Sequence, residues 1–223
     1  MLIRTRALGA LSVALCLGAL GFAAPAVAQN VRLTEALEEV RLTLNGSEVV
    51  IARNQDESAM LGGDFAKTSR ACPPFCIQPA APVTGVATVA ELEVLKFMQD
   101  KVSAKSGVVL DARLPEWFAK GSIPGAVNVP FATLASDNPF RNDILVALGA
   151  KPLGGDQFDF TEALDLLVFC NGAWSDQSVR ALKSLKAAGY PPEKMAYYRG
   201  GMQDWQMLGL TIASVSTGAG GQP

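Results

Sequence analysis

Three short apolar runs in the chain have the pattern of buried strands. Residues 107–111 read GVVLD, residues 164–169 read LDLLVF, and residues 195–198 read MAYY. The first two are nearly continuous in apolar side chains, which is typical of parallel strands covered on both faces. We therefore expect these runs to be strands of a parallel sheet.

Between these runs, apolar residues recur at helical spacing and turn residues mark the ends of helices. The first predicted helix begins at a capping box of Thr88 and Glu91 and has an apolar stripe through Leu92, Leu95, Met98 and Val102. Four more helices are predicted: over 115–120, over 144–148, from about Ser178 to Gly189, and after Gly200-Gly201. Alternation of strands and helices from about 85 to 212 predicts a single α/β domain with a mainly parallel, open sheet flanked by helices.

The segment before this domain, residues 29–84, has a different pattern. Residues 31–40 have apolar positions at helical spacing and predict a short helix. Residues 41–53 alternate around Asn45-Gly46, which is a strong signal for a β-hairpin. Because so short a segment cannot build a large core alone, we expect it to be an extension that packs on the main domain or on a partner.

The two ends of the chain have compositions of their own. Residues 1–28 carry Arg4 and Arg6, an apolar run and a small-x-small site at 26–28, which predicts a secretory signal peptide and a periplasmic location. A membrane anchor or a lipoprotein at Cys16 fits less well, since the run is short and Leu15 precedes the cysteine. Residues 213–223 are rich in glycine and predict a disordered tail.

The charge balance argues against one class of partner. The chain of 223 residues has a formal net charge of −2, and loss of the two arginines in residues 1–28 lowers it by two, to −4. We therefore expect no binding to nucleic acid, and no membrane association once the signal peptide has been removed.

The cysteine count suggests one free thiol. Without Cys16, three cysteines remain, and an odd number in an oxidising compartment leaves one unpaired. Cys72 and Cys76 lie close together in RACPPFCIQP, so we expect a disulfide between them and a free Cys170. The chain contains no histidine, and two cysteines do not supply the four ligands of a structural zinc, so we predict no metal and no cofactor.

Cys170 follows the apolar run at 164–169 and precedes a predicted helix, so it lies in a strand-loop-helix turn. Unpaired N–H groups and the helix dipole converge there, which favours an exposed, nucleophilic thiolate and binding of an anion. The other interpretation is a buried cysteine that acts as a small hydrophobic residue. We expect the backbone around the thiol to bind substrate, and we interpret Asp176 and Ser178 as helix caps. The predicted substrate-binding residues are Asn171, Gly172, Ala173, Trp174 and Ser175.

Three separate motifs, DARLPEWFAKGSIPGAVNVP, LLVFCNGAWSDQS and YYRGGMQDWQMLGL, occur in the order seen in the rhodanese (sulfurtransferase) family, which the chain resembles over roughly 130 residues. The resemblance implies a rhodanese-like fold and a catalytic Cys170. In that family, such a cysteine takes sulfane sulfur from thiosulfate or a persulfide and passes it to a thiol acceptor, in some cases on a partner protein.

The sequence departs from the family pattern at several positions. Ser122 stands where a histidine is common before Ile-Pro-Gly, a change that we expect to affect packing. The loop after Cys170 has no nearby cation, so Arg113 and Arg199 are the candidates for contacts to an anionic donor. Arg113 also has the simpler interpretation of pairing with Asp111. Trp174 could shield a bound sulfur, dock a partner, or pack on the domain.

Four functions remain open on these residues. The first is a periplasmic sulfurtransferase or persulfide carrier. The second is a catalytically inactive rhodanese-like module that binds a partner protein. The third is a thiol-disulfide oxidoreductase in which Cys72 and Cys76 cycle. The fourth, a phosphatase or arsenate reductase, fits least, because Asp176 would repel a dianion and the loop lacks an arginine.

Overall fold

A computed structural model describes residues 30–44, 46–72 and 75–214, so the proposed signal peptide and residues 215–223 lie outside the described chain. The described residues within 31–214 form one compact unit. The strands are β1 (Val40–Leu44), β2 (Ser47–Ile51), β3 (Ala87–Val89), β4 (Gly107–Asp111), β5 (Val127–Asn128), β6 (Lys151–Gly154), β7 (Gln157–Asp159), β8 (Asp165–Phe169) and β9 (Met195–Tyr198). The α-helices are α1 (Glu91–Phe97), α2 (Pro115–Phe118), α3 (Arg141–Ala147), α4 (Gln177–Ala187) and α5 (Gly201–Met207).

Five strands form the central sheet in the order β3-β9-β8-β4-β5, and every pair is parallel. This arrangement confirms the α/β class and the parallel sheet expected from the apolar runs. Strand β8 lies in the middle, and the side chains of residues 166–169 are fully buried. Full burial of a large apolar side chain stabilises the fold by about 1.5–3 kcal/mol, so this strand is a firmly packed support for the residue that follows it.

The predicted N-terminal hairpin is also confirmed, because β1 and β2 pair antiparallel with Leu44 opposite Ser47. It has no separate core. Val40, Leu42 and Ile51 pack in one cluster with Met98, Trp205 and other side chains from the same face of the central sheet. The other face of the sheet is covered by α3, α4 and their neighbours.

Several local predictions are wrong. Residues 31–39 are a series of bends, in which the N–H of Thr34 donates to the carbonyl of Leu37 at 2.9 Å, a direction opposite to that of helical hydrogen bonds. Thr88 belongs to β3 and does not cap α1; instead the Glu93 carboxylate accepts from the N–H of Ala90 at 3.1 Å. Leu92 is half exposed, so the predicted apolar stripe does not begin there.

The pattern of apolar and polar residues predicts no strand between 148 and 160, but the structure has a small antiparallel hairpin there, formed by β6 and β7. At the other end, Ala213, which the sequence places in the disordered tail, is instead paired with Ser122 through two backbone hydrogen bonds of 2.9 and 3.1 Å, and residues 215–223 of the predicted tail lie outside the described chain. In the described part of the chain, no helix has both the length and the apolar character needed to cross a membrane.

Candidate active site

Cys170 comes directly after β8, at the carboxyl end of the central strand, as the sequence predicts. Residues 171–176 form the loop that connects it to α4. The amino-terminal end of α5 holds this loop from a second side, because the N–H groups of Met202 and Gln203 donate to the carbonyls of Cys170 and Asn171 at 3.0 Å each. Gly201, with φ +56°, permits this close approach, since a β-carbon there would collide with the carbonyl of Cys170.

The thiol itself is buried, and the expectation of an exposed sulfur is wrong: the residue is only 1% exposed. Its immediate neighbours are polar. The Sγ atom lies 2.9 Å from the hydroxyl oxygen of Ser178 and 3.6 Å from the carbonyl oxygen of Ser175, to which the thiol donates. The loop closes over the sulfur through a turn in which the N–H of Ser175 donates to the carbonyl of Gly172 at 2.9 Å.

Unpartnered polar groups surround this part of the chain. Side-chain atoms of Asn171, Ser175, Gln177 and Tyr197 are buried and have no hydrogen-bond partner among the described residues. Of the five backbone N–H groups from Asn171 to Ser175, only that of Ser175 donates to a carbonyl in the described chain. Leaving a buried polar group unsatisfied costs about 1–3 kcal/mol, so a cluster of them is a feature of binding sites rather than of ordinary cores.

Two of these neighbours have roles that the sequence did not reveal. Ser178 was expected to cap α4, but its hydroxyl contacts the sulfur, and neither it nor Asp176 makes a side-chain capping bond. Tyr197, in the apolar run at 195–198, is a buried member of the core, and its phenol oxygen has no hydrogen-bond partner in the described chain. Its pKa is raised, first by burial and then by the negative charge of Cys170, so the phenol stays neutral and keeps its proton for donation.

The N-terminal extension contacts the loop directly. The N–H of Gln78 donates to the carbonyl of Ala173 at 2.6 Å. Arg199 donates from Nε and Nη2 to the carbonyl of Gln78, at 3.1 and 2.8 Å. Gln203 donates to the carbonyl of Phe65 at 3.1 Å. The extension therefore forms part of the wall around the cysteine loop.

The extension covers the side chain of Trp174, which lies in the loop after Cys170. Its Nε1 donates to Oε1 of Gln203 at 2.5 Å. The ring of Phe75 approaches it edge-on with centroids 5.3 Å apart, and the ring of Trp117 does so at 6.5 Å. The guanidinium carbon of Arg70 lies 3.8 Å above its centroid. Packing is thus one role of this tryptophan, and two of these four partners, Phe75 and Arg70, come from the extension.

Arg113 forms a buried ion pair with Asp111. Its guanidinium is buried and pairs with Asp111, with Nη2 to Oδ2 at 2.5 Å, and also donates to the carbonyl of Gly121 at 2.8 Å. Ser122, the residue at the family's histidine position, donates to the same carboxylate at 2.7 Å. Arg113 makes no contact to the cysteine loop within the described residues, so its geometry supports the pairing with Asp111 and not the anion contact.

Cys72 and Cys76 lie on the exposed surface of the extension, and residues 73–74 between them are outside the described chain. Their Cα atoms are 5.2 Å apart, within the range that a disulfide requires. The disulfide itself stays a prediction. No group of three or more metal-binding side chains occurs within residues 30–44, 46–72 and 75–214.

Comparison with known proteins places this geometry in context. A family model described as the rhodanese-like domain matches residues 91–208, more than half of the chain. No curated protein matches. Among solved structures, a rhodanese-related protein from Thermoplasma volcanium is 19% identical and covers 58% of this chain and 99% of its own, with a TM-score of 0.40.

Two further solved structures show similar values. The human single-domain sulfurtransferase is 21% identical, covers 54% of this chain and 96% of its own, and has a TM-score of 0.36. A protein of unknown function from Rhodopseudomonas palustris, described as a possible tyrosine phosphatase, is 21% identical over 58% of this chain and 86% of its own, with a TM-score of 0.42.

Proposed function

Because this chain belongs to the rhodanese-like domain family, we propose that it is a sulfurtransferase, or a persulfide carrier, that transfers sulfane sulfur through a persulfide on Cys170. One observation carries the proposal. Cys170, the cysteine outside the predicted pair of Cys72 and Cys76, lies at the end of the central strand among buried polar groups that lack hydrogen-bond partners in the described chain. Such groups suit a second, negatively charged sulfur attached to the first.

The reaction has two steps, each a displacement at sulfur. The Cys170 thiolate attacks the outer sulfur of thiosulfate and releases sulfite, or attacks the terminal sulfur of an organic persulfide and releases the organic thiolate. Both reactions leave an anionic persulfide on Cys170. An acceptor thiolate then attacks the outer sulfur of this persulfide, and Cys170 leaves as a thiolate.

The residues of the site have separate tasks in this scheme. The hydroxyl of Ser178, 2.9 Å from Sγ, donates to the sulfur when it is charged. The N–H groups of the loop and the amide of Asn171 receive the outer sulfur. Since Cys170 is 1% exposed, a donor reaches it only after the loop, with Trp174, moves outward from the extension. Opening of the loop is therefore part of the proposed cycle.

We also propose that the protein works in the periplasm. The support is the pattern of residues 1–28, with two arginines, an apolar run and small residues at 26 and 28. Transfer in that compartment requires Cys170 to stay out of any disulfide, which is consistent with the adjacency of Cys72 and Cys76 to each other.

Mass spectrometry and turnover test the proposal together. The protein is incubated with thiosulfate and, separately, with an organic persulfide, and we expect the mass of Cys170 to rise by one sulfur atom with at least one donor. Cyanide should remove that sulfur as thiocyanate, and Cys170→Ser should do neither. A Cys72→Ser/Cys76→Ser variant that keeps full turnover would count against the oxidoreductase alternative.

A second function is favoured by the burial of the thiol and by the coverage of Trp174. In it the domain is catalytically inactive and binds a partner protein. The same experiment decides between the two functions, since the binding module predicts no added sulfur on Cys170 with any donor and no thiocyanate.

A further inference from the structure

A groove of about 820 Å³ runs between the extension and the cysteine loop. The extension contributes Phe65, Arg70, Phe75 and Ile77, and the family domain contributes Trp174 and Arg199. The matched family region begins only at residue 91, so one wall of this groove is built by sequence outside the family domain. The groove adjoins the loop three and four residues after Cys170, at Ala173 and Trp174.

The charge of the groove differs from that of the whole protein. Its described lining has three cationic side chains and no aspartate or glutamate, whereas the chain as a whole has a net charge of −2. One of the cations, Lys67, is neutralised by Asp64 at 2.8 Å. The other two, Arg70 and Arg199, are held by backbone carbonyls and form no ion pair with a carboxylate in the described chain.

One wall of the groove has large apolar side chains that are open to solvent, while Thr68, Ser69 and Gln203 add polar groups elsewhere in the lining. Ile77 is 83% exposed and Met207 is 62% exposed, although large apolar side chains are more often covered. Phe75 and Trp174 form an edge-on aromatic pair beside them. The groove thus combines an accessible apolar wall with two guanidinium groups that have no carboxylate within ion-pair distance in the described chain. Arg199 is nevertheless close enough to Asp204 to offset part of the rise that burial causes in the pKa of that carboxyl.

We propose that this groove binds the organic part of an anionic thiol or persulfide, a ligand of peptide size with at least one carboxylate and an apolar stem. This inference rests on the proposed sulfur transfer and names its substrate class. The carboxylate contacts Arg70 and Arg199, and the stem lies on Phe75, Ile77 and Trp174. The volume is in the range of small-molecule sites, whereas an inorganic dianion such as thiosulfate would leave the apolar wall unused.

Equilibrium binding tests the groove without any turnover. Cys170→Ser protein is titrated with S-methylglutathione, which carries carboxylates but has no free thiol, and with its diethyl ester. We expect saturable binding of the acid and weaker binding of the ester. Ile77→Glu should weaken binding of the acid about tenfold, because it adds a negative charge to the groove without removing a buried contact.

The matched control is Leu153→Glu, the same type of change at a 66% exposed position that does not line the groove. It should leave binding unchanged. As a second variant, Arg70→Gln should weaken binding of the acid and leave the affinity for the ester unaltered. Absence of saturable binding, or equal loss in Ile77→Glu and Leu153→Glu, would overturn the inference.

Failure of the proposed function gives a different result. Persulfide formation on Cys170 from a neutral alkyl persulfide should be the same in wild type and Leu153→Glu, whose changed side chain lies outside the groove. If no donor adds sulfur to Cys170, the sulfur-transfer proposal fails, whatever the titrations show. If the neutral donor adds sulfur but the acid does not bind, only the groove assignment fails.

Discussion

Replacing Ser178 with alanine is the sharpest perturbation of the cysteine environment that the structure offers. The hydroxyl oxygen is 2.9 Å from Sγ, and the residue is fully buried, so no solvent competes for this contact. A hydrogen bond to a charged group contributes about 1.5–3 kcal/mol. Since about 1.4 kcal/mol corresponds to a factor of ten in rate, persulfide formation should slow by about 10- to 150-fold.

Single-turnover kinetics measure this effect. The variant is mixed with donor, the reaction is quenched with acid at set times, and the fraction of Cys170 that carries an added sulfur is determined by mass spectrometry. The matched control is Ser184→Ala on the same helix, a half-buried position whose hydroxyl has no hydrogen bond to the cysteine among the described residues. We expect that control to react within a factor of two of wild type, and Ser178→Thr to recover most of the rate.

Urea unfolding of each variant separates chemistry from folding. A rate for Ser178→Ala equal to that of Ser184→Ala would refute the assignment of Ser178 to the sulfur. The same conclusion would follow if the rate of Ser178→Ala fell only in proportion to the fraction of unfolded protein.

Three further predictions concern stability. Arg113→Met should lower the free energy of unfolding by about 3–5 kcal/mol, because it leaves a buried carboxylate without its partner, while Lys96→Met in an exposed ion pair should change it little in the same urea titration. Gly201→Ala should cost more than Gly63→Ala by thermal unfolding: both glycines have positive φ, +56° and +59°, but only the first has backbone atoms in the way of a β-carbon. The pKa of Asp204 is raised, first by burial and then by the charge of Glu91, so this group stabilises the fold below its ordinary pKa and loses that contribution as pH rises through its folded pKa. Asp204→Asn should therefore raise the melting temperature at neutral pH, with a gain that shrinks in acid, and an equal gain at both pH values would contradict this.

The core of the fold could be predicted because its signals are local. The strands at 107–111 and 165–169 were found from continuous apolar runs, and the position of Cys170 followed from the end of the second run. Strands β6 and β7 were missed because they are exposed, include Pro152 and Gly154, and show no alternation that a reader could use.

The environment of the thiol could not be predicted, since it depends on contacts between distant residues. Gln78 and Arg199 are 121 positions apart, and nothing in the pattern around Gln78 indicates that its carbonyl accepts from a guanidinium near the cysteine loop. The burial of Cys170 has the same origin. Strand-loop-helix geometry determines where the sulfur is, whereas the chain that closes over it determines whether solvent reaches it.

The contact between Gln78 and Ala173 has a consequence for how such proteins diversify. If the upstream segment selects the ligand and the rhodanese-like domain supplies the reactive sulfur, then different parts of the chain determine ligand specificity and the sulfur-transfer reaction. Substitutions in the groove residues of the upstream segment should then change ligand preference while the cysteine loop stays unchanged. By the same logic, a fragment cut at residue 85 would expose the indoles of Trp117 and Trp174 to water and should be prone to self-association.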